Sequence, residues 1–556
     1  MDGEKSRTAE EIFQDMHREL RSWNADIPES PDRMDPILRI MLRLYSSQLA
    51  SIDRKITDTW THASNALIRS MYPESMRWPV PAFTVIQAEP SDPVIHVDPQ
   101  SRFFYKEERD GGRTFFFSTL RAEKLLSAKL KNLYYVAGDG IRDISPASQE
   151  GTRTADRMRS AAGAGGEAAL YMAIEHGGPV EDFENAVLFV RGGAEALKQL
   201  RWSRWLPCVD GRFYEEGGFC PGLSGALDDI FTAGGKTLDW GGLRKSSDVF
   251  RPLENNFVII PRGFVTPWRR GNPDGAFMKA AANAGVVLPE SPENHYWIRI
   301  QLPSRGDRSV FQSPFRADFD CFVTVNRHEQ TLFKHTGGNR LIEIEIPEDP
   351  DDILEIVSVS DSVGKAYVPQ HEALSSDESS FYNLLEHNGR LCLWFDFSAA
   401  IELPPESITV NYSVTAGTGA NGIAAGKITE MYENHPGISS LKNIVPAGGA
   451  VPAKNERQIV AEVSARLRGR DRAMSFDQMI SWVKTFDQRI TAADCEKGVM
   501  RTENGVRKCV VVRVTVKAKD FYSDDEIELL RVRLSSFLKA RTSINSQFKV
   551  EIVKAG

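Results

Sequence analysis

From residue 34 onward the apolar positions Met34, Leu38, Met41, Tyr45, Leu49, Ile52, Ile56, Trp60, Ala63, Leu67 and Met71 recur at steps of three and four. The steps repeat every 11 residues, about 3.67 residues per turn, so the stripe stays on one face of a helix. Asp35-Pro36 supplies an N-cap followed by proline at the first helical position, and Tyr72-Pro73 ends the run. About 36 residues at about 1.5 Å each make a rod of roughly 54 Å, longer than a small domain is wide. Such a rod is expected to join an intermolecular helical bundle. An earlier helix is expected around Thr8 to Trp23, before the PESPD break.

Beyond Pro79 and Pro81 the period changes to that of strands. Residues 82–89, 94–97, 102–107, 113–119 and 129–137 are rich in β-branched and aromatic residues, which predicts an antiparallel β region. Residues 148–169 are Gly-, Ala- and Arg-rich with no period and read as a flexible insertion. Strands are expected at 170–175 and 185–192 and a short amphipathic helix at 194–205; residues 206–250 show no assignable pattern. A second β-rich stretch covers 257–261, 296–302, 319–327, 340–346, 353–362, 390–397 and 408–417, and a Gly/Pro-rich connector follows it.

The last hundred residues are built differently. Residues 455–467 read as helical, Ser475-x-x-Gln478 and Ser523-x-x-Glu526 each cap a helix, and Asn504-Gly505 marks a hairpin before VRKCVVVRVTV. QFKVEIV closes an ααββαβ module. The fold class is therefore multidomain α+β: a helical assembly segment 1–75, β-rich regions 76–250 and 251–454, and a compact module 455–556.

Composition narrows the classes of function. At 41% hydrophobic and 26% charged residues the 556-residue chain is ordinary globular protein, too long for one small core. The longest charge-free run, Ser407 to Gly426, holds seven Ser/Thr/Asn and four Gly, so it does not read as a membrane span. The charged start MDGEKSRTAEEIFQDMH lacks an apolar signal core, so a cytoplasmic location is expected. Six scattered cysteines form no CxxC and read as reduced core residues. Residues 455–556 carry 20 Lys+Arg against 14 Asp+Glu, a net +6, while the remainder carries −14. That module is a separate electrostatic unit.

Candidate chemistry fails at needed positions. Gly417-x-Gly419-x-x-Gly422 spells a dinucleotide loop, but no amphipathic helix follows it. Gly426-Lys427 lacks the phosphate loop's following Ser or Thr, and Gly222–Ala226 misses the last glycine of a serine nucleophile elbow. The ten histidines form no HExxH, and His328 and His335 read as surface residues. Arg466, Arg468, Arg470 and Arg472 form a basic run, and residues 343–355 an acidic one. With an overall pI near 5.8, protein contacts are expected for both, not nucleic acid. No cofactor, metal or catalytic residue is expected, and an enzyme is only a remote alternative.

Several segments in order resemble one family, the TssF baseplate wedge subunits of type VI secretion systems, related to J-type wedge proteins of phage baseplates. They are LIRSMYPESMRWPVPAF, LYMAIEHGGPVEDFENAVLFVRGGAEALKQL, FDCFVTVNRHE, ILEIVSVSDSVGKAY, GTGANGIAAGKI and RLRGRDRAMSFDQMISWV. The resemblance implies a structural role in bacterial secretion. Two copies would combine with one TssG-like subunit, contact TssK-like and TssE-like subunits, and surround a VgrG-like spike hub, in a baseplate at the inner membrane and without direct membrane insertion. The expected helical interface is Tyr45, Leu49, Ile52, Ile56, Trp60 and Leu67, and the expected C-terminal ring interface is Arg466, Arg468, Arg470, Arg472, Arg513 and Lys517. The alternative reading is the wedge of a contractile phage tail or of an extracellular injection particle.

Overall fold

The computed structural model describes residues 8–24, 26–71, 79–99, 101–107, 112–138, 140–145, 159–160, 168–223, 232–233, 236–237, 253, 255–303, 311, 316–370, 381–387, 389–398, 404–453, 475–487, 489–502, 505–518, 521, 524–542 and 547–555. It is mixed α+β. Two compact units are distinguished, Met1–Met76 with Asn455–Arg468, and Arg77–Lys454 with Gly469–Gly556.

In the first unit, helix α1 (Ala9–Trp23) opens with a capping box in which Thr8 and Glu11 satisfy each other's backbone N–H. Helix α2 spans Pro36–Met71, the full length that the apolar period predicts. Asp35 Oδ1 caps it, accepting from the Ile37 and Leu38 amides at 2.8 and 3.3 Å. Phe13, Met16 and Leu20 of α1 pack with Met34, Leu38 and Leu42. His17 Nε2 donates to the Pro28 carbonyl at 3.1 Å and ties the connecting turn to α1. The expected long helical bundle is not supported: among the described residues α1 and α2 form a two-helix hairpin.

The second unit contains several sheets with long-range pairing. A six-stranded antiparallel sheet runs in the order Glu430–Met431, Arg102–Lys106, Thr114–Thr119, Cys321–Asn326, Phe83–Pro90, Ile438–Asn443. Val85, Val323 and Val325 enter one core from it, and Ile86, Phe103, Phe117 and Phe322 enter another. Burial on both faces explains why its central strands are nearly continuous apolar runs.

A seven-stranded sheet pairs Ala169–His176 with both Ala128–Ala137 and Tyr296–Gln301. Leu170, Met172 and Ile174 face one core, and Tyr171 and Ala173 face another, which is completed by Phe277 and Ala281 of the helix Gly275–Ala284. Strands from both sides of residue 250 therefore share sheets. The expected boundary between 76–250 and 251–454 does not divide them.

Residues 328–414 contribute seven strands with a core of their own, including Ile342, Ile344, Leu393, Phe395, Val410 and Tyr412. The described C-terminal part reads αββαβ. Its strands Ile490–Thr502 and Gly505–Lys517 are antiparallel, and Phe548–Ala555 lies parallel to the second after the crossover helix Asp524–Arg541. Val512, Val514 and Val516 are fully buried beneath the helices, and Arg513 and Lys517 are exposed on the other face. Every member of this core lies between Phe476 and Ile552.

Candidate assembly surface

An apolar arc wider than one helix face runs along α2, and α1 covers only one flank of it. Leu42, Ser46 and Ala50 are buried. On the uncovered flank Ile37 is 71% exposed, Ile40 68%, Leu44 58%, Tyr45 50%, Leu49 45% and Ile52 52%. At about 25 cal/mol per Å² of apolar surface, a band of six such side chains represents a large unrealised burial energy. Tyr45, Leu49 and Ile52 thus share an exposed band. Ile56, Trp60 and Leu67 lie within the span of α2, with side chains outside the described residues. The periodic stripe is split: Met34 and Leu38 face α1, whereas Met41, Tyr45, Leu49 and Ile52 do not. Ile37, Ile40 and Leu44 extend the band and fall outside the stripe.

The C-terminal residues are brought together only in part. Arg513 sits in an exposed cross-strand ladder, with Nη2 at 2.5 Å from Glu496 and Nε at 3.4 Å from Glu551. Lys549 pairs with the same Glu551 at 2.7 Å. Arg513 is thus engaged within the chain, while Lys517 is an exposed strand end. Arg466, Arg468, Arg470 and Arg472 lie outside the described residues, as do most of 148–169 and 224–250.

The Gly-rich segment after residue 416 is a constructed loop. Gly417–Ala420 is a single 3-10 turn with no helix after it. Its amides are already spent: Gly419 donates to Ala416, Asn421 to Thr418, Gly422 to Ala447 and Gly426 to Asn443. The Lys427 and Ile428 amides both donate to Asn443 Oδ1 at 2.9 Å. These N–H groups are not presented to a phosphate, as a nucleotide loop requires. Gly449 adopts φ +84° with its Cα against Phe83, where a Cβ would lie 2.3 Å from the ring. A side chain there meets both strain and overlap.

Other motif residues also have structural duties. Asp361 Oδ1 accepts from the Val363 and Lys365 amides at 2.9 Å, and Oδ2 accepts from Tyr367 Oη at 3.0 Å, which fixes the Asp-Ser-Val-Gly turn. Asn326 donates to Phe116 O and accepts from Thr415 Oγ1 and the Ala416 amide. His328 is half-buried and stacks on Phe116 with centroids 4.9 Å apart, so it is not the surface residue expected. Burial, with Arg102 nearby, holds its pKa down. Among the described residues no group of three His, Cys, Asp or Glu could hold a metal ion. No described helix is long and apolar enough to cross a membrane.

Asp320 is a titratable group that sequence reading missed. It sits at φ 60° between two strands, its carbonyl accepts from Ala88, and its carboxylate accepts from the Leu126 amide. Burial pushes its pKa up to about 8, against the hydrogen bond from Leu126. The folded state then holds a proton that the unfolded state releases near pH ~4. Its contribution to stability is full below that value and is lost as pH rises through about 8. Asparagine tolerates the left-handed backbone and keeps the acceptor. Asp320→Asn is expected to flatten the fall in stability between pH 5.5 and 8.5, as read from urea midpoints at each pH; an unchanged slope contradicts the assignment.

No protein-family model matches the chain, and no curated protein matches it. Among solved structures, a chain of the type VI secretion system TssK-TssF-TssG baseplate subcomplex aligns over 93% of this chain and 96% of its own, at 12% identity and a TM-score of 0.56. A chain of the baseplate complex from the type VI secretion system aligns over 97% and 96%, at 12% identity and a TM-score of 0.44. A chain of the anti-feeding prophage baseplate aligns over 98% and 70%, at 9% identity and a TM-score of 0.33. The first of these likenesses, nearly end to end in both chains, shows that this protein shares the fold of a type VI baseplate-subcomplex chain.

Proposed function

We propose that the protein is a structural, non-enzymatic baseplate subunit of a contractile injection machine, in the role that TssF fills in a type VI secretion system. In this reading two copies join one TssG-like wedge subunit around a VgrG-like hub, with TssK-like and TssE-like neighbours, in the cytoplasm at the inner membrane. The observation that carries it is the nearly full-length fold likeness. The exposed band on α2 supports it, because a subunit destined for assembly carries apolar surface that a free protein would bury. The C-terminal module, with its self-contained core, fits a ring-forming element.

The helical band is the contact with the small wedge partner. Each apolar side chain buried there contributes ~1.5–3 kcal/mol, so two together account for at least about a 100-fold change in affinity. Tyr45→Asp combined with Ile52→Asp is expected to abolish copurification with a tagged TssG-like partner while leaving far-UV circular dichroism and the melting of the β-rich unit unchanged. Full copurification of the double variant would remove α2 from the interface.

A further inference from the structure

We draw no further inference here: the strongest candidate, the outer edge of the strand His328–His335, which carries the exposed Phe333 and among the described residues pairs along its other edge with Ser407–Val414, carries nothing because no feature of the described structure shows what would cover it.

Discussion

Asn443→Ala is expected to lower the stability of the β-rich unit by about 3–4 kcal/mol. The Asn443 amide is 1% exposed, and all of its hydrogen-bonding capacity is in use. Its oxygen accepts from the Lys427 and Ile428 amides, and its nitrogen donates to the Ala424 and Val445 carbonyls at 3.0 Å. Val445 O also accepts from Thr84 Oγ1 and so keeps a partner after the substitution. The orphaned N–H of the fully buried Ile428 contributes most, at about 1–3 kcal/mol, and the other lost hydrogen bonds add the rest. Asn443→Asp keeps the acceptor of both amides but sets a buried carboxylate oxygen against the Ala424 and Val445 carbonyls, so its urea midpoint should also fall below that of wild type. Equal midpoints for wild type and Asn443→Ala would show that the connector is not held by this side chain.

Arg489→Ala is expected to cost the C-terminal module about 3 kcal/mol, at the lower end for breaking a buried ion pair because the arginine keeps about a third of its surface. Arg489 Nη1 donates to Glu526 at 2.6 Å, and Nη2 donates to Asp487 at 2.8 Å. The guanidinium also lies 4.2 Å from the centroid of the Phe521 ring. Glu526 is 6% exposed, so the substitution leaves a desolvated carboxylate without its guanidinium. The network joins the start of the hairpin to the first turn of the helix Asp524–Arg541. We expect residues 455–556 to fold alone, since among the described residues every member of the module's core lies between Phe476 and Ile552. In that fragment the loss corresponds to a fall in Tm of about 12–24 °C. Arg489→Lys, which keeps the charge and loses the fork, should fall between the two. A variant melting with wild type would show that the pair adds nothing.

How much was legible in the sequence follows from how local each signal is. Helix α2 was legible in its entirety because Asp35-Pro36, an unbroken period and Tyr72-Pro73 all act within a turn or two of the residues they control. The strand Val94–Val97 was legible for the same reason. The strand His328–His335 was not, because HEQTLFKH is a largely exposed edge strand with no apolar alternation. The helix Gly275–Ala284 escaped because its small residues blur the 3.6 period; the Asp274 cap, accepting from the Phe277 amide, was the signal available.

Pairing partners were the larger loss. Nothing near Phe83–Pro90 says that it will lie between Cys321–Asn326 and Ile438–Asn443. Register is decided by the hydrophobic patterns of both strands together. The same holds for the candidate surface. The sequence shows an apolar arc on α2, but only packing shows that α1 takes Leu42 and leaves Leu44, Tyr45 and Ile52 bare. The sequence marks the connector only as Gly/Pro-rich, whereas packing shows that Asn326, Asn421 and Asn443 each hold it through two or more side-chain hydrogen bonds.

The most direct test of the assembly reading is the native mass of the full chain co-expressed with its TssG-like wedge partner and purified through a tag on that partner. The proposed role predicts one stable species containing two copies of this chain and one of the partner. Recovery of the partner alone, with this chain left as a free monomer, would contradict it.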